Sequence, residues 1–349
     1  MRAGKGFYVL VGVTIAMVAA AVMVHRSPDD SMSSHGLHVP DLAHRADAVH
    51  TVLIRTADAE LRLERTDEGW VARSKTGYPA DAERIRQLVL GVSQLERLER
   101  KTANPDRLGR LDLRDIDVAG SRAVRVSLLT ADGTTLADVL VGKTHDFQQE
   151  ARSRYFVRDA GDSQSWLVEG WLPPVLEELS SWLERRLMPG IGESALASVT
   201  VTHTDGETVT IRREGGEVKD FRLSGLSGGE TIDSQYKVNA IAETLRRLSL
   251  KDVRDAGAAL GETIARIEAV TFNGVRIIAR IGTGEPDYPV GLEARYEGET
   301  DTERGEQLAS TLDDRWRGRW FVVSQYALDD VLVRREDLVK QAAASTEAE

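Results

Sequence analysis

Cysteine is absent from the 349 residues. Disulfides, thiolate nucleophiles, iron–sulfur clusters and Cys-ligated zinc are therefore excluded together, while an oxidising and a reducing compartment both stay open. Proline is sparse, at nine residues, and aromatic side chains make up only 5% of the chain. Positive charge is also short: 45 Lys and Arg stand against 56 Asp and Glu, a net charge of −11. Surfaces that track phosphate backbones need clustered cations to displace counterions, so no nucleic acid is expected as a partner. What is present is ordinary for a globular protein: 41% hydrophobic and 29% charged residues, in a chain long enough for two domains.

The longest charge-free apolar run is Phe7 to Val24, FYVLVGVTIAMVAAAVMV. As a helix it is about 27 Å long, which matches the hydrocarbon core of a bilayer. Arg2 and Lys5 precede it and Asp29 and Asp30 follow it, so the positive-inside rule keeps the N-terminus cytoplasmic. A cleaved signal peptide is the rival, with Ala19, Ala20 and Ala21 as a small-residue cleavage site. Apolar residues nevertheless continue through Val22, Met23 and Val24, and a signal h-region is normally shorter. The expectation is a cytoplasmic stub and single-pass anchor at residues 1–26 in the inner (cytoplasmic) membrane, with the bulk periplasmic. The few residues before the span leave no room for a cytoplasmic output domain.

Residues 27–46 are rich in Ser, Pro, Asp and His without periodicity and read as a flexible linker; 341–349 read as a disordered tail. Between them the chain repeats itself. VLIRTADAELRL (52–63) and VTVTHTDGETVTI (199–211) alternate like hairpins, the second turning at Asp205-Gly206. In GYPADAERIRQLVLGVSQLERL (77–98), Ile85, Leu88, Val92 and Leu95 share one helix face, and Val238, Ile241, Leu245 and Leu248 stand a constant 153 residues further on. RAVRVSLLTADGTTLADVLVG (122–142) and ARIEAVTFNGVRIIARIG (265–282) are second hairpins, turning at Asp132-Gly133 and Asn273-Gly274 and each ending in Gly. RYFVRD (154–159) pairs with RWFVVS (319–324) as an aromatic strand, and WLVEGWLPPVLEEL and DDVLVRREDLV read as closing helical stretches. The fold class expected is α+β, two tandem repeats at 47–190 and 195–340, each an antiparallel-rich sheet with packed helices. The second carries an extra loop over 285–308.

The chemical motifs fail on context. Gly225-Leu-Ser227-Gly-Gly229 matches the nucleophile elbow, but no histidine follows Ser227 to serve as base, and the helix starts about six residues late. Ser234-Gln-Tyr-Lys237 and Lys75-Thr76-Gly77 match fragments of serine penicillin-recognising enzymes in reversed order, and Ser234 reads as a helix cap. Gly142-Lys143-Thr144 ends like a phosphate loop, yet Ala137 holds the place of its first glycine. Asp112, Asp115 and Asp117 are misspaced for calcium. His25, His35, His38, His44 and His50 crowd the tether without an ordered scaffold for a metal, and His145 and His203 read as isolated surface residues. Trp166, Trp171 and Trp182 read as core, with a partner-docking face as the alternative. No catalytic, cofactor-binding or metal-binding residue is assigned, and no cofactor is expected.

EGWVA (68–72), YPADAERIRQLVLGVSQLE, NPDRLGRLDL (104–113), a strand closing on VLVGK, and RYFVRD together resemble the bacterial family called domain of unknown function 4340. The resemblance covers most of 47–190; the second copy lacks the NPDRLGRLDL element. It implies an exported, membrane-anchored α+β protein, some relatives of which are encoded with ABC-type gliding-motility auxiliary systems, and it brings no catalytic residues. The functional expectation is a non-enzymatic interaction or assembly module with envelope protein partners. A periplasmic binding module for a small ligand or envelope polymer, and a serine hydrolase acting through Ser227, are the alternatives. A periplasm-dependent reporter fused after residue 340 of the full chain should be active; an inactive fusion overturns the orientation.

Overall fold

The computed structural model describes residues 36–146, 152–173, 178–257, 260–299 and 302–341. The expected anchor at 7–24 and all of the expected tail 341–349 but Gln341, which ends a strand, lie outside the described residues, among which no helix is long and apolar enough to cross a membrane. They divide into two compact units. One takes the chain through Val49 with Arg55–Ala59 and Arg86–Pro174; the other holds His50–Ile54, Glu60–Ile85 and Val175 onward.

In chain order, β1 (Thr51–Arg55), β2 (Glu60–Thr66), β3 (Gly69–Ala72) and β4 (Tyr78–Pro79) precede helix α1 (Ala82–Ser93) and β5 (Glu96–Arg100). The short α2 (Pro105–Leu108) follows, then β6 (Val124–Leu129), β7 (Thr135–Asp146), β8 (Ser153–Asp159) and β9 (Ser165–Gly170). The second copy runs β10 (Leu196–His203), β11 (Thr208–Arg212), β12 (Arg222–Leu223), β13 (Glu230–Ile232), α3 (Gln235–Arg246) and β14 (Asp252–Asp255). It continues with β15 (Thr263–Thr271), β16 (Val275–Gly282), β17 (Asp287–Tyr296), α4 (Thr302–Trp316), β18 (Arg319–Ser324), α5 (Tyr326–Asp329) and β19 (Val339–Gln341). The result is mostly antiparallel sheet with few helices.

Strand order exposes the duplication. The first unit carries the run β6-β7-β8-β9-β5, and the second unit carries β4-β3-β2-β1, the pair β13-β19 and the sheet β12-β11-β10-β15-β16-β17-β18-β14. Within that sheet, β12-β11-β10 repeats β3-β2-β1, and β15-β16-β17-β18-β14 repeats β6-β7-β8-β9-β5. The expected hairpins and their turns are in place, with Gly133, Gly206 and Gly274 at φ +83°, +88° and +79°, which a side chain rarely tolerates. Both helices form where the periodicity expects them. Asp81 Oδ1 accepts from Arg84 N at 3.0 Å at the start of α1, and all eight apolar stripe residues of the two copies are at most 1% exposed.

Four expectations need correction. The strand RWFVVS is β18 and answers SWLVEG, β9; RYFVRD is β8 and answers β17. Both hexapeptides carry an aromatic at the second position, so local pattern alone does not separate them. WLVEGW therefore opens as strand, not helix. The stretch 285–308 is no loop: it holds β17 and the first half of α4. Finally, the tether ends earlier than expected, because from Gly36 the chain is packed. Leu37 bridges Glu96, Leu42 is 1% exposed, and Pro40–His44 forms a 3-10 turn.

The glycine that closes each second hairpin has a steric cause. A Cβ on Gly142 would stand 2.1 Å from the carbonyl oxygen of Leu111, and one on Gly282 would stand 2.0 Å from that of Leu260. Each copy thus runs a loop backbone directly over its second hairpin. In the first unit that loop brings Leu108, Leu113 and Ile116 into one core cluster with Leu140, Phe156 and Leu167. Gly142→Ala and Gly282→Ala should each cost about 1–3 kcal/mol through backbone displacement. Gly192→Ala, where a Cβ meets nothing within 4 Å, should stay within about 0.5 kcal/mol. Equal melting temperatures for all three variants would refute the close-approach account.

Candidate functional site

Helix α3 of the second unit buries Val238, Ile241, Ala242 and Leu245, and a recess opens along each of its flanks. The first is a groove of about 360 Å³ against α5, lined by Tyr236, Ala240, Thr244, Leu248, Ala327 and Asp330. Its lining residues on α3, Tyr236, Ala240 and Thr244, are four apart, which is one stripe of the helix. Tyr236 is 77% exposed, and Tyr326, beside Ala327, is 87% exposed.

The second recess is a cleft of about 550 Å³, with Arg213, Phe221 and Arg246 among its lining residues. Val209 and Ile211 hold the inward register of β11, and Arg213, one residue past its end, continues that alternation, so an arginine sits where the pattern calls for an apolar residue; it is 9% exposed. Its Nε donates to Leu196 O at 2.6 Å, Nη2 to Glu193 O at 2.8 Å and Nη1 to Val218 O at 3.3 Å. The guanidinium carbon lies 4.7 Å from the centre of the Phe221 ring and 5.7 Å from that of Phe272. Carbonyl dipoles and ring faces stand where a carboxylate would normally be, and burial pulls the arginine pKa down. Arg246, by contrast, donates to Glu243 at 2.6 Å. Asn239 fixes the loop over the cleft, accepting from Phe221 N at 2.9 Å and donating to Asp220 at 2.8 Å.

A third recess, of about 600 Å³, is closed electrostatically. There Arg334 bonds Asp205 and Glu207, and Arg335 bonds Glu230, each at 2.5 Å. Hydrogen bonds from arginine, lysine, histidine and threonine side chains and from backbone N–H groups set the displaced carboxylates. Every carboxyl whose pKa is displaced among the described residues is displaced downward. On Asp138, burial acts upward but is outweighed by hydrogen bonds from Arg125, at 2.8 and 2.5 Å, and from Ser127 at 2.9 Å.

The residues singled out in the motifs are dispersed. Ser227 is exposed, and its backbone N–H donates to Glu230 rather than its hydroxyl meeting a histidine. Ser234 precedes α3 but its side chain makes no cap, so the expected capping bond is not formed. Lys237 bonds Asp233 at 2.9 Å and Lys75 bonds Asp252 at 2.6 Å, so neither lysine is placed on a serine. Thr76 and Gly77 form a left-handed turn at φ +57° and +68°. Gly142 lies in β7 under the Leu111 carbonyl, which leaves no room for phosphate. Asp115 holds buried Arg158 at 2.6 Å, and no group of metal-ligating side chains is found among the described residues.

His25 and His35 lie outside the described residues. His38 is not a solvated tether residue: it is 3% exposed, accepts from Arg97 Nε at 3.1 Å through Nδ1, and places Nε2 3.2 Å from Asp159 Oδ1. His203 is likewise buried, 3.3 Å from Val333 O, where a surface residue was expected. His145 is exposed and packs edge-on against Phe156. Of the tryptophans, Trp182 is fully buried, Trp171 is 40% exposed, and Trp166 lies under the Arg97 guanidinium at 4.5 Å. In the second copy Arg254 stacks over Trp320 at 5.6 Å, from a different register position: Arg254 is directly opposite Trp320, while Arg97 is opposite Val168.

Arg213, Lys219, Tyr236 and Tyr326 belong to none of the sequence motifs; the signals in the sequence are an arginine that continues the inward alternation past the end of β11 and a tyrosine on the polar face of a helix.

The fold is that of a duplicated, mostly antiparallel α+β protein. The family description that matches is Domain of unknown function (DUF4340), over residues 70–263, and the chain belongs to that family. The match runs from β3 through α3 to the start of β15 and so takes in parts of both copies. No curated protein and no solved structure matches the chain.

Depressed carboxylates make an acid limb predictable. A group whose folded pKa lies below its unfolded value, about 3.9 for Asp, contributes stability that is present above that value and is lost as pH falls through the folded pKa. Stability of the full chain should therefore decline below about pH 4. Asp138→Asn should lower it at neutral pH and flatten the decline. An unchanged acid limb in that variant would show that Asp138 is not among its causes.

Proposed function

We propose that this chain is a membrane-anchored periplasmic interaction module without enzymatic activity, which presents the groove between α3 and α5 to a protein partner of the envelope. The observation that carries the reading is the exposure of Tyr236, which lines that groove, and of Tyr326 on α5, next to the lining residue Ala327. A tyrosine ring left in water beside an apolar recess gains by burying its faces while its hydroxyl stays hydrogen-bonded, and such rings anchor interfaces. The charge-free run at 7–24 supports the anchor. The downward carboxyl shifts support a non-catalytic role, since a general acid at neutral pH needs its pKa raised toward 7. Family members encoded with ABC-type systems make such a transport assembly the first partner to look for.

Crosslinking of the full-length protein in mild-detergent membranes, read by mass spectrometry, tests this. Tyr236→Ala with Tyr326→Ala should reduce recovery of the partner about tenfold, the scale of a hot-spot truncation, and leave the melting temperature unchanged. Equal recovery with both tyrosines removed would discard the groove as the contact.

A further inference from the structure

We infer that the Arg213 cleft in the second copy is a binding site for a small oxyanion, a carboxylate or phosphate group. This goes beyond the proposed protein contact and requires no protein partner. An arginine whose only task is to tie loops together can do so at the surface, where solvation stabilises its charge. Arg213 is more than nine-tenths buried, bonds three carbonyl oxygens and, among the described residues, has no carboxylate within ion-pair distance. Three of its five N–H groups are used, which leaves one on each terminal nitrogen. A buried cation paired only with dipoles keeps most of its field, because little solvent screens it.

The other charges of the cleft sharpen the case. Arg246 is matched by Glu243. Lys219 lines the cleft, is exposed, and its side chain makes no ion pair or hydrogen bond among the described residues. Glu193 and Glu217 also line it but are exposed, so their repulsion of an anion is screened by water and salt. Phe221 and Phe272 fix the plane of the guanidinium, which pre-organises its fork for a planar or tetrahedral oxyanion. The first copy provides an internal comparison. Arg65 holds the matching place after Leu61 and Leu63, with its backbone N–H donating to His50 O as that of Arg213 does to Ala197 O. Yet Arg65 is exposed. Burial of this arginine is therefore not a requirement of the repeat fold.

The test uses the full-length protein in detergent at neutral pH, with inorganic phosphate or citrate titrated against chloride at matched ionic strength and the melting temperature as readout. A saturable rise of a few degrees is expected with at least one of the two anions. Lys219→Ala, which touches only an exposed side chain, should weaken the apparent affinity several-fold, and Arg213→Lys, which keeps the charge but loses the fork, should abolish the rise. A response to phosphate alone would assign a phosphate-bearing ligand, and one to citrate alone a carboxylate-bearing one. If neither anion raises the melting temperature, or if the rise is the same in Lys219→Ala, the inference is wrong. Should Arg213→Lys fail to fold, Lys219→Glu decides, since it must lower the affinity further than Lys219→Ala. The tyrosine variants at the groove should respond to the anions like the wild type, so failure here and failure of the protein-contact reading are read separately.

Discussion

The second unit depends on a single buried stretch of backbone. Residues 182–191 connect the two copies, and Trp182, Leu183, Leu187, Met188 and Ile191 are at most 3% exposed. A peptide chain driven into a core by such side chains carries its N–H and C=O groups with it, and each must find a partner. On one side Asp81 N donates to Trp182 O and Glu184 N to Pro79 O; on the other Leu250 N donates to Arg185 O and Leu187 N to Leu248 O. The start of α1 and the end of α3 are thereby set in register on the same connector. Trp316 of α4 adds its indole N–H to Leu187 O at 2.9 Å, and Arg315 bonds the buried hydroxyl of Tyr78 at 3.0 Å while burial pushes that phenol's pKa upward. Within this unit the recesses beside α3 inherit their geometry from a helix whose C-terminal end is held by the connector.

Electrostatics complete what packing begins. A chain with 56 acidic residues and few lysines meets most of its buried or half-buried carboxylates with arginine forks, which hold them ionised. Pairing is so general that the exceptions carry the information. Arg213 is buried against carbonyls alone, and His38 is buried between Arg97 and Asp159. The histidine is accounted for by structure, since it seats the chain that emerges from the expected membrane span. The arginine stabilises loops but leaves a cation facing an open cleft.

Hairpins, glycine turns and both long helices were legible because each depends on a period or a dipeptide within a dozen residues. The duplication was legible for the same reason, through a constant spacing of buried positions. The partners of strands were not. RYFVRD and RWFVVS look alike, and only the order of strands in the sheets shows that the second answers SWLVEG. Helix α4 was missed because its buried face is Gly305, Ala309, Leu312 and Trp316, so half of the stripe has almost no side chain to register as apolar. Gly305 is there because a Cβ would stand 2.4 Å from the Tyr296 ring and 2.6 Å from the carbonyl oxygen of Asn273, which lies in the turn before β16. The burial of His38 and His203 depends on partners 59 and 130 residues away, which local composition cannot supply.

Duplicated folds separate what the architecture requires from what one copy has acquired. The stripes of α1 and α3 and the glycine beneath each crossing loop are shared, and both serve burial. The differences gather in the second copy: α4 inserted before β18, α5 after it with Tyr326 exposed, and an arginine drawn inward beside α3. Divergence that only relaxed a redundant copy would be expected to erode its core and leave charges outside. Here the core is intact, while the two departures that cost free energy, exposed aromatic rings and a desolvated cation, lie on the two flanks of one helix. A cost retained next to an open recess is accounted for when the recess is filled, which is why α3 and its flanks, rather than any serine or histidine motif, are where function is to be sought.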